Sequence, residues 1–411
     1  MTRKLIVLNK QDTFCTSIFF LFLYLNFVAN FTMYSDLITA VFIGVTAYFC
    51  FIKRKVYFSF YFLIDLVFIA YSIYQIKSGI AVYPSMSQTM VSTLVKCVII
   101  NWATVSFIVL TNNMNKVLTI YVYAMFSGVI TFFIIGWRTL LKGRFLQDTT
   151  VSFLGAKVSI HSNTVGLVAA FAFVFAIFLF FDKDKRKCLF ICSLLLMCIL
   201  LTGSRKSIIL AAAGLIVLMK YMNPNMKFGK VIIATIIISV GYVVLMKIPF
   251  IYDIAGSRIE STFHYFSTGT TQESSMLTRN RLIEVGLKYY DKRPATGYGL
   301  DNYRIIANNS DLYAHNNFIE ILFSSGMIGF YIYYSKYVFL FISQLTLKIK
   351  KEDQYFITAR LLLCLFIIFT VFEYWVVSYY ERKFMIIHMF ILGFLQIYKN
   401  DTVKNEANVT Q

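Results

Sequence analysis

The stretch NTVGLVAAFAFVFAIFLFF at residues 163–181 carries no charged side chain and is long enough to cross a lipid bilayer as a helix. A bilayer core of roughly 30 Å needs about 20 such residues at a rise of about 1.5 Å each. Runs of the same character recur at 14–31, 36–52, 57–76, 90–110, 117–136, 188–201, 207–221, 231–248, 316–343, 357–379 and 384–398. They are continuous rather than alternating, which excludes the strands of a membrane barrel, and in lipid a helix satisfies its own backbone. Of the 411 residues, 58% are hydrophobic and 14% charged, whereas a soluble domain has about half and about a quarter. The expected fold is all-α: a polytopic transmembrane helix bundle of about 12 spans, one for each run. Residues 1–248 hold the first nine, 249–315 form one large extracytoplasmic loop, 316–398 hold the last three, and 399–411 form a cytoplasmic tail.

The formal charge of +19 sits in short clusters between apolar runs, such as Lys53-Arg54-Lys55 and Lys185-Arg186-Lys187, and not along one amphipathic face. That pattern sets membrane orientation and gives no reason to expect nucleic acid. With both termini cytoplasmic, nineteen basic residues fall on the inner side and nine in the short outer loops, the asymmetry expected of a multi-pass protein of a cytoplasmic membrane. Arg3, Lys4 and Lys10 precede the first run with no convincing cleavage site after it, so that run is read as a retained helix. The seven cysteines lie almost entirely inside apolar runs, without the spacing of a disulfide framework or zinc site.

The outer loop is where chemistry is expected. Leu282, Ile283, Leu287 and Tyr290 have helical spacing within 278–290, which predicts an amphipathic helix on the outer membrane surface, ended by the Pro and Gly of 291–299. Arg279 and Arg281 open that helix, where free amides favour anions, and suit a pyrophosphate clamp; a solvated basic face is the plainer reading. Lys292 and Arg293 complement the dipole at its other end.

Two further places stand out. The hairpin 201–207 joins two runs of about 15 residues, too short to cross the core, so Arg205 at its turn is expected to be recessed in a cavity where its fork can grip a phosphate. The alternative is an arginine snorkelling to the interface. His315 and Asn316 stand where the loop re-enters the membrane, and a histidine there can take a proton from a hydroxyl near neutral pH. Glu320, about 140° further round a helix, orients that turn rather than sharing a ligand with His315, while Gly326 and Gly329 permit close helix packing. Asp65, Lys96 and Glu373 fall inside apolar runs, where ionisable groups face a partner or a cavity, and Asp65 with Lys96 is one candidate pair. No phosphate loop, serine triad or acidic metal cluster is visible, so metal-free chemistry with no cofactor is expected.

Three blocks together resemble the O-antigen polymerase and O-antigen ligase family of bacterial membrane glycosyltransferases. They are His161-Ser-Asn-Thr-Val-Gly-Leu167, Thr202-Gly-Ser-Arg-Lys-Ser207, and Arg279 through Pro294-Ala-Thr-Gly-Tyr-Gly299 to His315-Asn316 with Glu320, Gly326 and Gly329. The family's arginine fifteen residues before the proline selects Arg279 over Arg281. Its commoner Pro-Asn appears here as Ser162-Asn163, and its tryptophan after the loop arginine is replaced near Ile283. The resemblance implies a donor oligosaccharide linked to polyprenyl diphosphate, with Arg205 and Arg279 on the diphosphate, where the clamp reading adds Arg281, and His315 as general base. Asn163, Asn316 and Glu320 would position donor or acceptor. It further implies work at the outer face beside membrane lipid, with a flippase and a chain-length regulator of the same pathway as partners, and a capsular, exo- or O-antigen polysaccharide as product. Ligase-type transfer to another acceptor stays open. A flippase or transporter would call for related halves and a midplane site, and neither duplication nor a second large loop is evident.

Overall fold

The computed structural model describes residues 2–30, 32–140, 149–222, 247, 249, 252, 256–268, 274–307 and 312–409. Among them, six helices are long and apolar enough to cross a membrane. Helices occupy eleven of the twelve expected runs; the run 231–248 lies outside the described residues but for Lys247. The chain divides into two compact units, residues 1–49 with 113–270 and residues 50–112 with 271–411. The expected loop is therefore shared, its part before residue 271 belonging to the first unit and the remainder to the second.

The first unit contains α1 (Thr2–Val28), most of α2 (Met33–Ile52), α5 (Met114–Leu140), a hairpin of β1 (Thr149–Phe153) and β2 (Ala156–Ile160), α6 (Ser162–Phe180), α7 (Lys185–Leu201), α8 (Arg205–Met222) and α9 (Ser257–Thr268). Helix α6 is its centre, packed on α5, α7 and α8. Small residues allow this: Ala169, Ala170, Ala172 and Ala176 are fully buried, and close packing through small side chains replaces the hydrophobic drive that lipid does not supply. The hairpin is a departure from the all-helical expectation. Its alternating Thr149–Ile160 sequence pairs antiparallel, and Leu154 and Gly155 both take positive φ at the two-residue turn, as the strand twist requires.

The second unit contains α3 (Phe60–Lys77), α4 (Pro84–Thr111), α10 (Ser274–Tyr290), α11 (Tyr303–Ile306), α12 (Asn317–Leu345), α13 (Phe356–Phe372) running into a 3-10 turn (Glu373–Trp375), and α14 (Arg382–Val409). Here α3 and α10 pack on α12, and α4 and α13 pack on α14.

Helix α12 is not the single crossing expected at 316–343. It breaks at Gly326, whose φ of 62° and ψ of −169° lie outside the helical region, and its two arms fold towards each other. Asn317 Nδ2 reaches the hydroxyl of Tyr334 at 2.9 Å and the Phe318 ring stacks on Tyr334, contacts that a straight helix would hold about 25 Å apart. The arm 327–345 alone rises about 28 Å, enough for a crossing.

A break in lipid is tolerated only where the freed backbone groups find partners. The Pro294–Gly299 turn supplies them. Tyr298 and Gly299 amides donate to the Phe323 and Ser324 carbonyls at 3.0 and 2.8 Å, and the Met327 and Ile328 amides donate to Pro294 and Ala295 at 2.8 and 3.2 Å. Gln75 Nε2 donates to Ser324 and Thr296, and the Tyr71 hydroxyl to Ser325. A Cβ on Gly326 would lie 2.3 Å from the Ala295 oxygen, and one on Gly297 would lie 2.5 Å from the Phe323 oxygen. Gly297 and Gly326 thus allow two backbones to meet, a closer need than helix packing, while Gly329 faces the Ser325 and Tyr71 side chains.

Candidate active site

In the first unit two of the three sequence blocks come together. Gly166 of α6 lies against the turn before α8, where a Cβ would sit 2.5 Å from Thr202 Oγ1 and 2.7 Å from Ser207 Oγ. Thr202, Ser204 and Ser207 are buried, and Ser207 donates to the Ser204 hydroxyl at 2.7 Å. Gly203 takes a φ of 57°, turning the chain between α7 and α8. Arg205 is the first residue of α8 and is half-buried. Asn163, on the first turn of α6, is also half-buried.

The two helices beside Arg205 are longer than the runs expected there and still shorter than a core of roughly 30 Å. Helices α7 and α8 have 17 and 18 residues, about 26 and 27 Å, because Lys185, Arg186 and Lys187 join α7 behind the Asp184 cap, whose carboxylate accepts the Lys187 amide at 3.0 Å. Arg205 stands at the start of its helix, beside the buried hydroxyl turn.

In the second unit α10 begins at Ser274, earlier than expected, because Ser274 to Thr278 extend the helix without apolar periodicity. Arg279 and Arg281 therefore stand beyond the first turn and its free amides, which removes the helix-start argument for both. They point about 200° apart: Arg279 is half-buried and Arg281 exposed. Their helix positions put them on different sides of α10. The apolar stripe of α10 is partly committed to protein rather than membrane. Leu282 is buried with Tyr298, Tyr303, Ala314, Ile319 and Phe323, and Gly286 closes on Ile319, while Leu287 is exposed.

His315 is half-buried and takes a φ of 54°, a left-handed conformation that costs a non-glycine residue on the order of 1–3 kcal/mol and marks functional turns. The turn is held on both flanks. Before it, the buried Glu320 carboxylate accepts the Ala314 amide at 3.0 Å. After it, Asn316 caps α12 by accepting the Ile319 amide at 3.1 Å. Glu320 and Asn316 are each 1% exposed, with Glu320 bonded to the turn itself. The Asn316 Nδ2 is buried with no hydrogen-bond partner among the described residues. The Tyr313 ring lies 4.3 Å from the imidazole, centroid to centroid.

Sequence reasoning did not find several neighbours. Asp301 and Arg304 form an ion pair on the loop, Arg304 Nε donating to Asp301 at 2.9 Å. Burial pushes the Asp301 carboxyl above its ordinary range against the opposing pull of Arg304. Only their spacing of three signalled the pair. Asn317 and Glu373 share a hydrogen bond at 3.3 Å. The Asp65 partner is Lys336 of α12, at 2.7 Å and buried, with its ammonium over the Tyr333 ring. Lys96, the expected partner, is exposed on α4. Arg293 donates to the Ile80 carbonyl and stacks on Tyr298, and Lys292 lies over Tyr289, both in structural roles.

These features define an integral membrane protein of helical architecture, with apolar membrane-length helices joined by polar turns. Residues 189–334 match the model of the O-antigen ligase family. That range holds Arg205, Arg279, Arg281, His315, Asn316, Glu320 and Gly326, and leaves Asn163 outside. The match supports the O-antigen polymerase and ligase family identified from the three blocks. No curated protein matches the chain.

Proposed function

We propose that the protein is a polymerase that joins oligosaccharide repeat units carried on polyprenyl diphosphate into a surface polysaccharide at the outer face of a bacterial cytoplasmic membrane. The observation that carries this reading is His315, half-buried on a braced left-handed turn inside the segment that matches the O-antigen ligase family. An acceptor sugar hydroxyl attacks the anomeric carbon of the donor, the bond from that carbon to the diphosphate oxygen breaks, and the hydroxyl proton passes to the imidazole of His315. Negative charge grows on the departing diphosphate, and guanidinium groups stabilise it without a metal. Arg205 and Arg279 are assigned that work; Arg281, exposed on the other side of α10, serves at most the approach of the anion. Asn163 and Asn316 position the sugars, Asn316 through the turn it caps beside His315. The diphosphate bond supplies the energy, so no nucleotide site is needed. A flippase would deliver the donor and a chain-length regulator would act on the product.

The matched family carries the name of the ligase, which favours transfer of glycan to a different acceptor as the second reading. Both readings use the same donor and the same residues. In cells, Arg205→Ala and His315→Ala are expected to abolish polymer while leaving the protein in the membrane. Normal polymer in both variants would overturn the roles given to these residues. In a deletion strain, single repeat units stranded on carrier lipid at the outer face support polymerase, complete polymer stranded there supports ligase, and units stranded inside contradict both.

A further inference from the structure

Glu373 is buried to 0% exposure between α13 and α14, and the reaction described above makes no use of it. A carboxylate removed from water and placed near lipid is costly unless each lone pair is met by a donor. Here four donors meet it: the Tyr337 hydroxyl and Ser378 Oγ on Oε1, and the Tyr334 hydroxyl and Asn317 Nδ2 on Oε2. Packing alone would be served as well by an apolar side chain of similar volume, so the carboxylate is best understood through what it holds.

Asn317 is the element held most completely. Its Nδ2 donates to Tyr334 and Glu373, and its Oδ1 accepts the amides of Ser378 and Tyr379 at 3.1 and 3.2 Å. It stands two residues after His315, at the head of the first arm of α12, and Tyr334 ties it to the second arm. The Glu320 contact with Ala314 holds the chain before His315, and the Asn317 cluster holds it after.

We propose that Glu373 is a positioning residue for glycosyl transfer, fixing through Asn317 the turn that presents His315. The proposal rests on His315 acting as the base. A carboxamide at 373 keeps one accepting oxygen and removes the charge and one of the two oxygens on which the four donors converge, so the grip on Asn317 weakens without a change in side-chain volume. Misplacing a catalytic group by about 1 Å lowers turnover by about 100-fold.

The test compares the full-length protein in proteoliposomes with defined lipid-linked repeat units, for Glu373→Gln, Asn317→Ala, Tyr334→Phe, the Glu373→Gln/Asn317→Ala pair, and His315→Ala. The expected result is a fall in kcat of about 10- to 100-fold for Glu373→Gln and for Asn317→Ala, with donor KM within about 3-fold of wild type. The double variant should be no worse than the weaker single variant, because both break one linkage. Should Glu373→Gln fail to reach the membrane, Asn317→Ala and Tyr334→Phe carry the test. Unchanged kcat in Glu373→Gln and Asn317→Ala beside an inactive His315→Ala overturns the positioning role alone. Losses that multiply in the double variant, or that fall on KM, overturn it too. A fully active His315→Ala instead removes the function on which the proposal rests.

Discussion

The carboxylate of Glu320 accepts the backbone amide of Ala314 at 3.0 Å, closing a turn with His315 between them. Ala314 is fully buried, so its amide has no access to solvent if the carboxylate is lost, and an orphaned donor of this kind costs about 1–3 kcal/mol. Glu320→Gln keeps an oxygen that can accept the amide, and Glu320→Ala does not. Glycan transfer should fall much further in Glu320→Ala, by about 10-fold or more beyond the glutamine variant. Equal activity in the two variants, measured at equal membrane abundance, would show that the contact does not govern the turn.

The break in α12 depends on one glycine. Alanine at 326 meets the Ala295 carbonyl at 2.3 Å in a backbone region that L-residues avoid, a strain of at least about 1–3 kcal/mol before any displacement of the turn. Gly326→Ala should lower the apparent melting temperature in detergent by several degrees or prevent accumulation. Gly44→Ala in α2, where the added methyl meets nothing within 4 Å, should be neutral or gain up to about 1 kcal/mol from helix propensity. A Gly326→Ala protein as stable as wild type would mean that α12 runs straight.

The buried Asp65–Lys336 pair gives a third prediction. Removing one partner leaves an uncompensated charge and costs about 3–5 kcal/mol, while apolar replacement of both is often tolerated. Asp65→Leu and Lys336→Met should each destabilise strongly, and the double variant should lie nearer wild type than either. Additive losses in thermal unfolding would contradict the pairing.

Asp301 gives a pH dependence with a definite sign. Burial raises its folded-state pKa above the unfolded value, so the stability it contributes is fully present below the unfolded pKa and is lost as pH rises through the folded pKa. Relative to Asp301→Asn, the wild-type protein should lose stability on going from acidic to neutral pH. A difference that grows with pH would show that attraction to Arg304 outweighs burial.

The membrane helices were legible because an apolar run of bilayer length has few other fates, and α6 lies where residues 163–181 placed it. The turn at His315 was legible only as the place where the loop meets the next apolar run; its left-handed backbone puts it outside the helix that carries Glu320, so helical spacing between the two does not apply. The α12 break was not legible: Gly326 within an apolar run reads equally as a packing residue, and only the partnered amides of 298–299 and 327–328 distinguish the two. The Asp65 partner was missed because Lys336 sits among tyrosines within a single run, and sequence does not say which helices are neighbours in space. The start of α10 was misplaced because Ser274 to Leu277 carries no apolar rhythm, and the β-hairpin was passed over although Thr149–Ile160 alternates.

The most direct measurement of the central claim uses purified protein in liposomes, supplied only with a defined repeat unit on polyprenyl diphosphate. Wild-type protein should produce a ladder of longer glycans and release one polyprenyl diphosphate per linkage, and His315→Ala and Arg205→Ala should each slow both by about 100-fold or more. A ladder formed at wild-type rate by either variant, or diphosphate release without glycan growth, would contradict the account.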